Sequence, residues 1–390
     1  MPRIVDDLSR ALVAFEQDST LAVVVELSQS GWLVAGLVPG VARRPLKKLS
    51  ADAAELLALV HRWRDEAVQA GKVIKRLVVA FEAGRDGFWL ARWLRRRGIE
   101  THVIHAASVA VSREHRRAKT DRLDTQLLMR ALLGWLRGEA GHCKMAQVPT
   151  LEEEDDRRPG RERDALVAER TRLTNRVKAV LVRFGISGFK PLLRKAADRL
   201  AGLRTPDDEG LPIHTLGELR RLVERLALLK TQITAIEAAR LVPPAPSATQ
   251  AQARLMQTVL ARMVGVGVDT AELLTQELFR RGLRDRRAVA RFAGLTGSPD
   301  ESGSRRREKG LARAGCTRVR RGMIQLAWRF LRFQKASALA AWFQQRARGA
   351  SGKERKVLIV ALARKLLIAL WRLASAGVVP DGVQMRAQTA

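Results

Sequence analysis

Leu21-Ala-Val-Val-Val-Glu26 is the stretch that decides the fold. It has no polar alternation and three valines in a row, so it reads as a short strand buried on both faces and closed by a carboxylate. Gly31-Trp-Leu-Val-Ala-Gly36 and the stretch on to Leu49 read as two more strands, separated by Pro39-Gly40 as a turn. Ser50-Ala-Asp-Ala-Ala-Glu55 reads as a capped helix start, with the helix running to about Ala70 before Gly71. Leu77-Val-Val-Ala-Phe-Glu82 is the next strand, and a helix from about Asp86 to Arg97 ends at Gly98. Glu100-Thr-His-Val-Ile-His105 is a strand again, and after a basic loop a helix begins near Thr120. The order β-β-β-α-β-α-β-α predicts a mixed sheet with helices on its faces: three hairpin-linked strands, then βαβ crossovers.

Beyond this α/β region, which we bound at residues 1–148, the pattern becomes helical. The charged run Glu152-Glu-Glu-Asp-Asp-Arg-Arg-Pro-Gly160 reads as a surface linker opening a second region, 149–252. There Leu219, Leu222, Leu226, Leu229, Ile233 and Ile236 recur at alternating spacings of three and four, and Leu166, Leu173, Val177, Val180 and Phe184 keep the same register with one gap at Arg170. Such a seam is that of a coiled coil. The simplest reading is an antiparallel coiled-coil hairpin within the chain, with about Gly185 to Thr215 as its tip; a coil between chains is the rival, and periodicity does not separate the two. Residues 253–378 read as a mostly α-helical domain, and residues 379–390 as a disordered tail.

Composition narrows the function. The chain of 390 residues carries 71 Lys and Arg against 40 Asp and Glu, a net charge of +31. Such a field attracts polyanions, nucleic acid first. Arginine outnumbers lysine 56 to 15, which suits bidentate contacts to phosphates and guanine edges. The excess is uneven: residues 301–390 hold 20 Lys and Arg against 4 Asp and Glu. There is no tyrosine, which excludes recombination through a tyrosine nucleophile, and two distant cysteines exclude a disulfide scaffold. No apolar run reaches the roughly 18 residues of a membrane span and the first residues lack a signal-peptide pattern, so a cytoplasmic chain is expected.

Four acids stand out by position. Glu26 and Glu82 close the first and fourth strands, which this strand order makes neighbours. Asp121 and Asp124 lie three apart, on one face of the helix after the fifth strand. Each alone reads as an ordinary solvated acid. Together they would crowd four like charges, a conflict that hard divalent cations resolve: Mg²⁺ (or Mn²⁺) takes oxygen ligands and phosphates together. Two such ions about 3.5–4 Å apart stabilise the attacking and leaving oxygens of phosphodiester chemistry.

A second constellation lies towards the C-terminus. Glu301-Ser302-Gly303 precedes Arg305, Arg306, Arg307 and Lys309, and Arg318, Arg320 and Arg321 follow. A serine amid arginines can attack phosphate, because cations lower its pKa and stabilise the pentavalent transition state. On the residues alone it reads first as a loop serine, and no histidine follows His214 to serve as a nearby base. Met263-Val-Gly-Val-Gly-Val-Asp-Thr270 resembles the turn of a helix-hairpin-helix, where Gly265 and Gly267 would let backbone N–H groups approach a phosphate; a plain helix–helix turn is the other reading.

Val79-Ala-Phe-Glu-Ala-Gly84 and Ala118-Lys-Thr-Asp-Arg-Leu-Asp124 resemble the hallmark motifs of insertion-sequence transposases with a RuvC-like DEDD domain, the "IS one-ten" family with its "eleven-eleven" subgroup. Gln325–Gln334 and Ser337–Phe343 resemble that family's terminal helices. The resemblance spans roughly residues 21–137 and 257–348. It implies an RNase H/RuvC-like domain, a coiled-coil region and a C-terminal serine transposase domain. It implies Glu26, Glu82, Asp121 and Asp124 as catalytic metal ligands, Lys119 and Arg122 as contacts to nucleic acid, and Ser302 as nucleophile, with Ser298 and Ser304 as lesser alternatives. The family's first acid is an aspartate, and Val25-Glu26-Leu27-Ser28 carries a glutamate in that place; Thr296-Gly297 replaces the usual Thr-Pro.

The implied activity is metal-dependent DNA cleavage and strand exchange through a phosphoserine intermediate. The implied partners are donor and target DNA, a structured non-coding bridge RNA and further copies of the chain (a dimer or tetramer), with no membrane. The implied location is the bacterial cytoplasm, at the nucleoid. Two other functions fit the residues: a junction-resolving or RNase H-like nuclease that uses water, and a catalytically impaired nucleic-acid-binding relic.

Overall fold

The computed structural model describes residues 10–11, 13–84, 87–109, 120–139, 141–241, 247–302, 305–312 and 314–387. The chain divides into two compact units, Met1–Glu152 and Glu153–Ala390.

The first unit is the expected mixed α/β sheet, RNase H-like in its strand order. Its strands are β1 (Thr20–Leu27), β2 (Trp32–Leu37), β3 (Leu46–Leu49), β4 (Arg76–Glu82), β5 (Glu100–Ile104) and the two-residue β6 (Met145–Ala146), ordered β3-β2-β1-β4-β5-β6. β1, β4 and β5 run parallel; β2, β3 and β6 pair antiparallel with their neighbours. β6 carries no sequence signal, since two residues cannot show a period.

Side chains of a strand alternate between faces, and both faces of β1 are buried. Leu21, Val23 and Val25 pack with Val79 and Phe81 against α1 (Ala53–Gln69) and α2 (Trp89–Arg95). Ala22 and Val24 pack with Val78, Ala80 and Ile104 against α3 (Asp121–Leu136). This two-sided burial explains the unbroken apolar run. Asp52 caps α1, its carboxylate accepting from the Glu55 N–H at 2.8 Å.

The second unit opens with a correction. The charged run 152–160 is not a surface linker. Most of it lies in α4 (Leu151–Asp155) and the start of α5 (Arg158–Val182), with Pro159 in the first turn of α5, where a missing N–H costs nothing. Glu153 and Arg157 are buried. The Arg157 Nε donates to the Gln276 carbonyl at 3.0 Å, and Arg280 pairs with Asp156 at 2.7 Å.

α5 pairs with α7 (Ile213–Leu241) within the chain. The ion pairs Arg163–Glu237, Arg225–Glu169 and Arg176–Glu218 show that the two helices run antiparallel. Leu173, Val177 and Leu181 meet Leu219, Leu222, Leu226 and Leu229, so the α5 seam ends on Leu181 and Phe184 lies beyond the helix. The connecting segment adds α6 (Ala196–Ala201), whose Ala196 and Leu200 close that core together with Phe189.

A separate core joins α8 (Ala248–Ala261), α9 (Val268–Glu277), α10 (Arg286–Phe292), α11 (Thr317–Phe333), α12 (Ala338–Ala347) and α13 (Gly352–Ala376). Between α10 and α11 stands an antiparallel ribbon, β7 (Gly297–Ser302) and β8 (Arg305–Leu311), where the sequence reading places a loop. Of the expected disordered tail, residues 379–387 are described and docked, and residues 388–390 lie outside the described residues. Met385 bridges to Met263, the Val264 N–H donates to the Gln384 carbonyl at 3.1 Å, and the Arg386 N–H donates to the Arg262 carbonyl at 2.7 Å. Among the described residues no helix is long and apolar enough to cross a membrane.

Candidate active site

The register of the sheet places two of the four acids. Val25 of β1 pairs with Phe81 of β4 in parallel, so the next residues, Glu26 and Glu82, are flush on adjacent strands. Both share the parity of Ala22, Val24, Val78 and Ala80, and so project towards the face that α3 covers. Glu26 is half-buried and Glu82 exposed.

The helix places the other two. Leu128, Ala131, Leu132 and Trp135 are the buried stripe of α3, and the same spacing continued backwards lands on Asp124 and Asp121. Thr120 caps the helix, its hydroxyl accepting from the Leu123 N–H at 3.2 Å. Acids in this first turn complement the helix dipole.

The direction of α3 follows from its far end. The Trp135 ring lies 4.6 Å from that of His102, which pairs with Ala80, and the Ala11 N–H, upstream of β1, donates to the Trp135 carbonyl at 2.9 Å. The helix C-terminus therefore sits over the earlier part of the strands, and its N-terminus points to the edge where Glu26 and Glu82 lie. From the level of Ala80 to Glu82 is about 7 Å along the strand. From Trp135 back to Asp124 is about 16 Å along the helix axis. The aspartates thus overhang the strand ends. Among the described residues no group of three or more His, Cys, Asp and Glu side chains is gathered closely enough to hold a metal ion. Carboxylate oxygen is the donor type that a hard divalent cation takes, but the four acids are not gathered around one point in this structure.

Other candidates fall out unevenly. Lys119 lies outside the described residues, as do Gly303 and Ser304 and the side chains of Arg305, Arg306 and Lys309. Arg122, Arg307 and Arg321 are exposed. Ser302 is exposed and ends β7, paired with Arg305, so it stands on a ribbon rather than in a loop. Ser298 lies on the same strand, half-buried. Gly265 takes φ +92°, and a side chain there would press on Phe333 at 3.2 Å; Gly267 caps α9 with no side-chain hydrogen bond. Arg320 turns towards its own helix start, 3.4 Å from the Thr317 hydroxyl.

Arg318 is the clear departure. Its Nε donates to Asp164 at 2.7 Å and its Nη1 to Glu277 at 3.0 Å. This arginine holds α11 to α5 and α9, and its charge is spent on carboxylates of the same chain. Glu277 also takes both Nε and Nη2 of Arg161. Burial pushes the Glu277 carboxyl up, but the Arg161 hydrogen bonds and the charges of Arg161, Arg318 and Arg157 outweigh burial and hold it below its ordinary value. Glu272, beside it on α9, is pushed up by burial despite Arg240. No local pattern marks Asp164 and Glu277 as partners of arginines 154 and 116 residues away.

An RNase H-like sheet with carboxylates at the ends of its central strands and on the following helix defines a phosphodiester-processing domain. Comparison with known proteins makes the class specific. A DEDD-type IS110 transposase model matches residues 43–186, and the model for the transposase IS116/IS110/IS902 family matches residues 257–342. A protein of Sinorhizobium fredii (strain NBRC 101917 / NGR234) carrying a transposase name, y4rJ, is 43% identical over 373 residues, 93% of this chain and 94% of that one. The transposase for insertion sequence element IS1328 of Yersinia enterocolitica is 30% identical over 222 residues, 56% of this chain and 62% of that one. The chain belongs to the IS110 family of insertion-sequence transposases. The first match spans Glu82, Asp121 and Asp124 and the second spans Gly265 and Ser302, whereas Glu26 lies outside both.

Proposed function

We propose that this transposase cuts and exchanges DNA strands with Glu26, Glu82, Asp121 and Asp124 as the metal ligands and Ser302 as the nucleophile. The observation that carries the reading is the flush placement of Glu26 and Glu82 on the face where the α3 stripe continues into Asp124 and Asp121. Mg²⁺ (or Mn²⁺) held by these acids would supply positive charge to phosphoryl oxygens. The Ser302 oxygen attacks phosphorus, its proton passes to a base or solvent, and one P–O bond of the DNA backbone breaks as the phosphoserine ester forms, the departing strand end taking up a proton to become a free hydroxyl. The arginines of β8 neutralise the charge that builds on the phosphate oxygens. Reversal of the same exchange onto a second strand rejoins the DNA and frees the serine.

The partners of this reaction are donor and target DNA and a structured bridge RNA whose pairing selects the sites, which leaves the protein to grip shape and backbone. The net charge of +31 suits a chain that holds both. The serine domain of one copy would complete the acid edge of another, so the active form is a homo-oligomer, working in the cytoplasm at the nucleoid.

Strand exchange between two plasmids, with the bridge RNA supplied, tests the reading. Ser302→Ala is expected to abolish exchange and the covalent protein–DNA species, and Glu82→Gln to abolish exchange. Exchange that persists in Ser302→Ala refutes the serine and favours the water-using nuclease.

A further inference from the structure

α11 carries two opposite faces. Val319, Met323, Leu326 and Phe330, spaced four, three and four, are buried in the C-terminal core. Arg321, Gln325, Trp328 and Arg332 have the same spacing two residues on, about 200° round the helix, and all are exposed. Trp328 is 51% exposed, an unusual cost for so large an apolar ring. Arg329 lies beside this row, its Nη2 donating to the Thr270 hydroxyl at 3.3 Å, and Arg332 lies over the ring of Phe333, itself 44% exposed.

The helix contains no Asp or Glu. Among the described residues Arg318, at its start, meets carboxylates, while Arg321, Arg329 and Arg332 meet none. The fold thus spends one arginine on its own packing and presents three others, a glutamine and a tryptophan outward along about 16 Å of helix. Arginine and tryptophan are the side chains that grip phosphate and cover sugar or base surface. A helix about 10–12 Å across fits the roughly 12 Å major groove of B-form DNA, whereas the major groove of an A-form RNA duplex is too narrow and deep for side chains to read.

We propose that the exposed face of α11 docks in the major groove of double-stranded DNA, with Arg321 and Arg332 on phosphates of the groove walls and Trp328 against the sugar edge between them. The proposal deepens the recombinase reading, on which it rests, by naming the surface that holds the DNA arms. It needs no base reading and is therefore compatible with site choice by a guide RNA.

Binding of the full-length chain to a random-sequence DNA duplex, an RNA duplex of the same sequence and a single strand is the test, measured by fluorescence anisotropy across a salt series. Arg321→Ala with Arg332→Ala is expected to weaken DNA-duplex binding by roughly tenfold or more and to lower the salt slope by about 2, one for each lost phosphate contact. Removing two exposed arginines elsewhere, Arg62→Ala with Arg96→Ala, is expected to leave that slope nearly unchanged. Trp328→Ala is expected to weaken DNA binding without changing oligomeric state by light scattering.

An equal loss in the Arg62/Arg96 control overturns the proposal, because net charge alone would then explain the effect. So does a loss confined to the RNA duplex, or a Trp328→Ala chain that changes oligomeric state, which would make the face an interface between copies. Because binding is read without exchange, failure of the serine chemistry leaves this outcome separately measurable.

Discussion

Arg161 lays its guanidinium along the carboxylate of Glu277, Nε at 2.9 Å from one oxygen and Nη2 at 3.1 Å from the other. The acid is 2% exposed and takes Arg318 as well. One carboxylate on α9 thereby ties the start of α5 and the start of α11 to the C-terminal core. Removing it leaves Arg161, whose side chain is 56% exposed, to water and leaves Arg318 with Asp164 alone. Glu277→Ala is expected to cost about 1–3 kcal/mol in denaturant unfolding, and Glu277→Gln less, since the amide keeps the shape and one acceptor. A loss under 1 kcal/mol for Glu277→Ala would show that water satisfies both arginines.

Glu100 offers a pH test in the first unit. It takes both Arg76 Nε and Nη2 at 2.7 Å and the His102 ring at 2.7 Å. Burial pushes its carboxyl up, but the Arg76 and His102 hydrogen bonds and charges prevail and bring it from 4.5 to about 2. A carboxyl depressed in the folded state stabilises the fold above its unfolded value. That contribution fades as pH falls from about 4.5 and is gone below about 2. Glu100→Gln should flatten the fall in stability over that window, followed by thermal melts from pH 5 down to 2. An unchanged acid limb would assign it to other carboxylates.

Gln334 fixes the C-terminal segment. It is 1% exposed; its Nε2 donates to the Val264 and Gln384 carbonyls at 2.8 and 3.0 Å, and its Oε1 accepts from the Gln384 N–H at 2.8 Å. Gln334→Ala removes three part-buried hydrogen bonds to the backbone of Val264 and Gln384, each worth about 0.5–1.5 kcal/mol. Local release of residues 380–387 is the cheaper outcome. Hydrogen exchange is expected to speed up there and at Val264, with the α11–α13 core still protected. Uniform acceleration across the domain would mean that the segment and the core unfold together.

The parts readable in the sequence are those whose physics is local. β1 announces itself because Leu21 to Val25 are all apolar and buried on both faces; α3 does so because its stripe has a helical period. The same periods set Glu26 beside Glu82 in the sheet and Asp121 and Asp124 on the stripe of α3, but among the described residues these acids are not gathered closely enough to hold a metal ion. The ribbon β7–β8 was not readable, since Ser298-Pro-Asp-Glu-Ser302 and Arg305-Arg-Arg-Glu-Lys309 have no apolar alternation and pair through backbone register. The docked run 152–160 reads as a linker for a related reason. Charge signals solvent only until its partner is known, and the partners of Asp156 and Arg157 lie at Arg280 and Gln276, about 120 residues on.

In the proposed site Glu26 stands where the resemblance implies an aspartate, and the flush register gives that difference a physical meaning. On neighbouring parallel strands, residues side by side rise equally from the sheet. With glutamate at both positions, Glu26 and Glu82 reach the same height above the edge; an aspartate at 26 would draw its carboxylate back by about 1.5 Å, one carbon–carbon bond. A misplacement of about 1 Å can cost on the order of 10²-fold in a positioned reaction. Glu26→Asp is therefore expected to reduce strand exchange by about that factor, and Glu26→Gln to abolish it, at fixed Mg²⁺ and with unchanged melting temperature. Exchange that rises in Glu26→Asp from an inactive parent would identify the glutamate as damage and the chain as a decayed transposase. Full activity in Glu26→Gln would remove Glu26 from the site and leave Glu82, Asp121 and Asp124 to do the work.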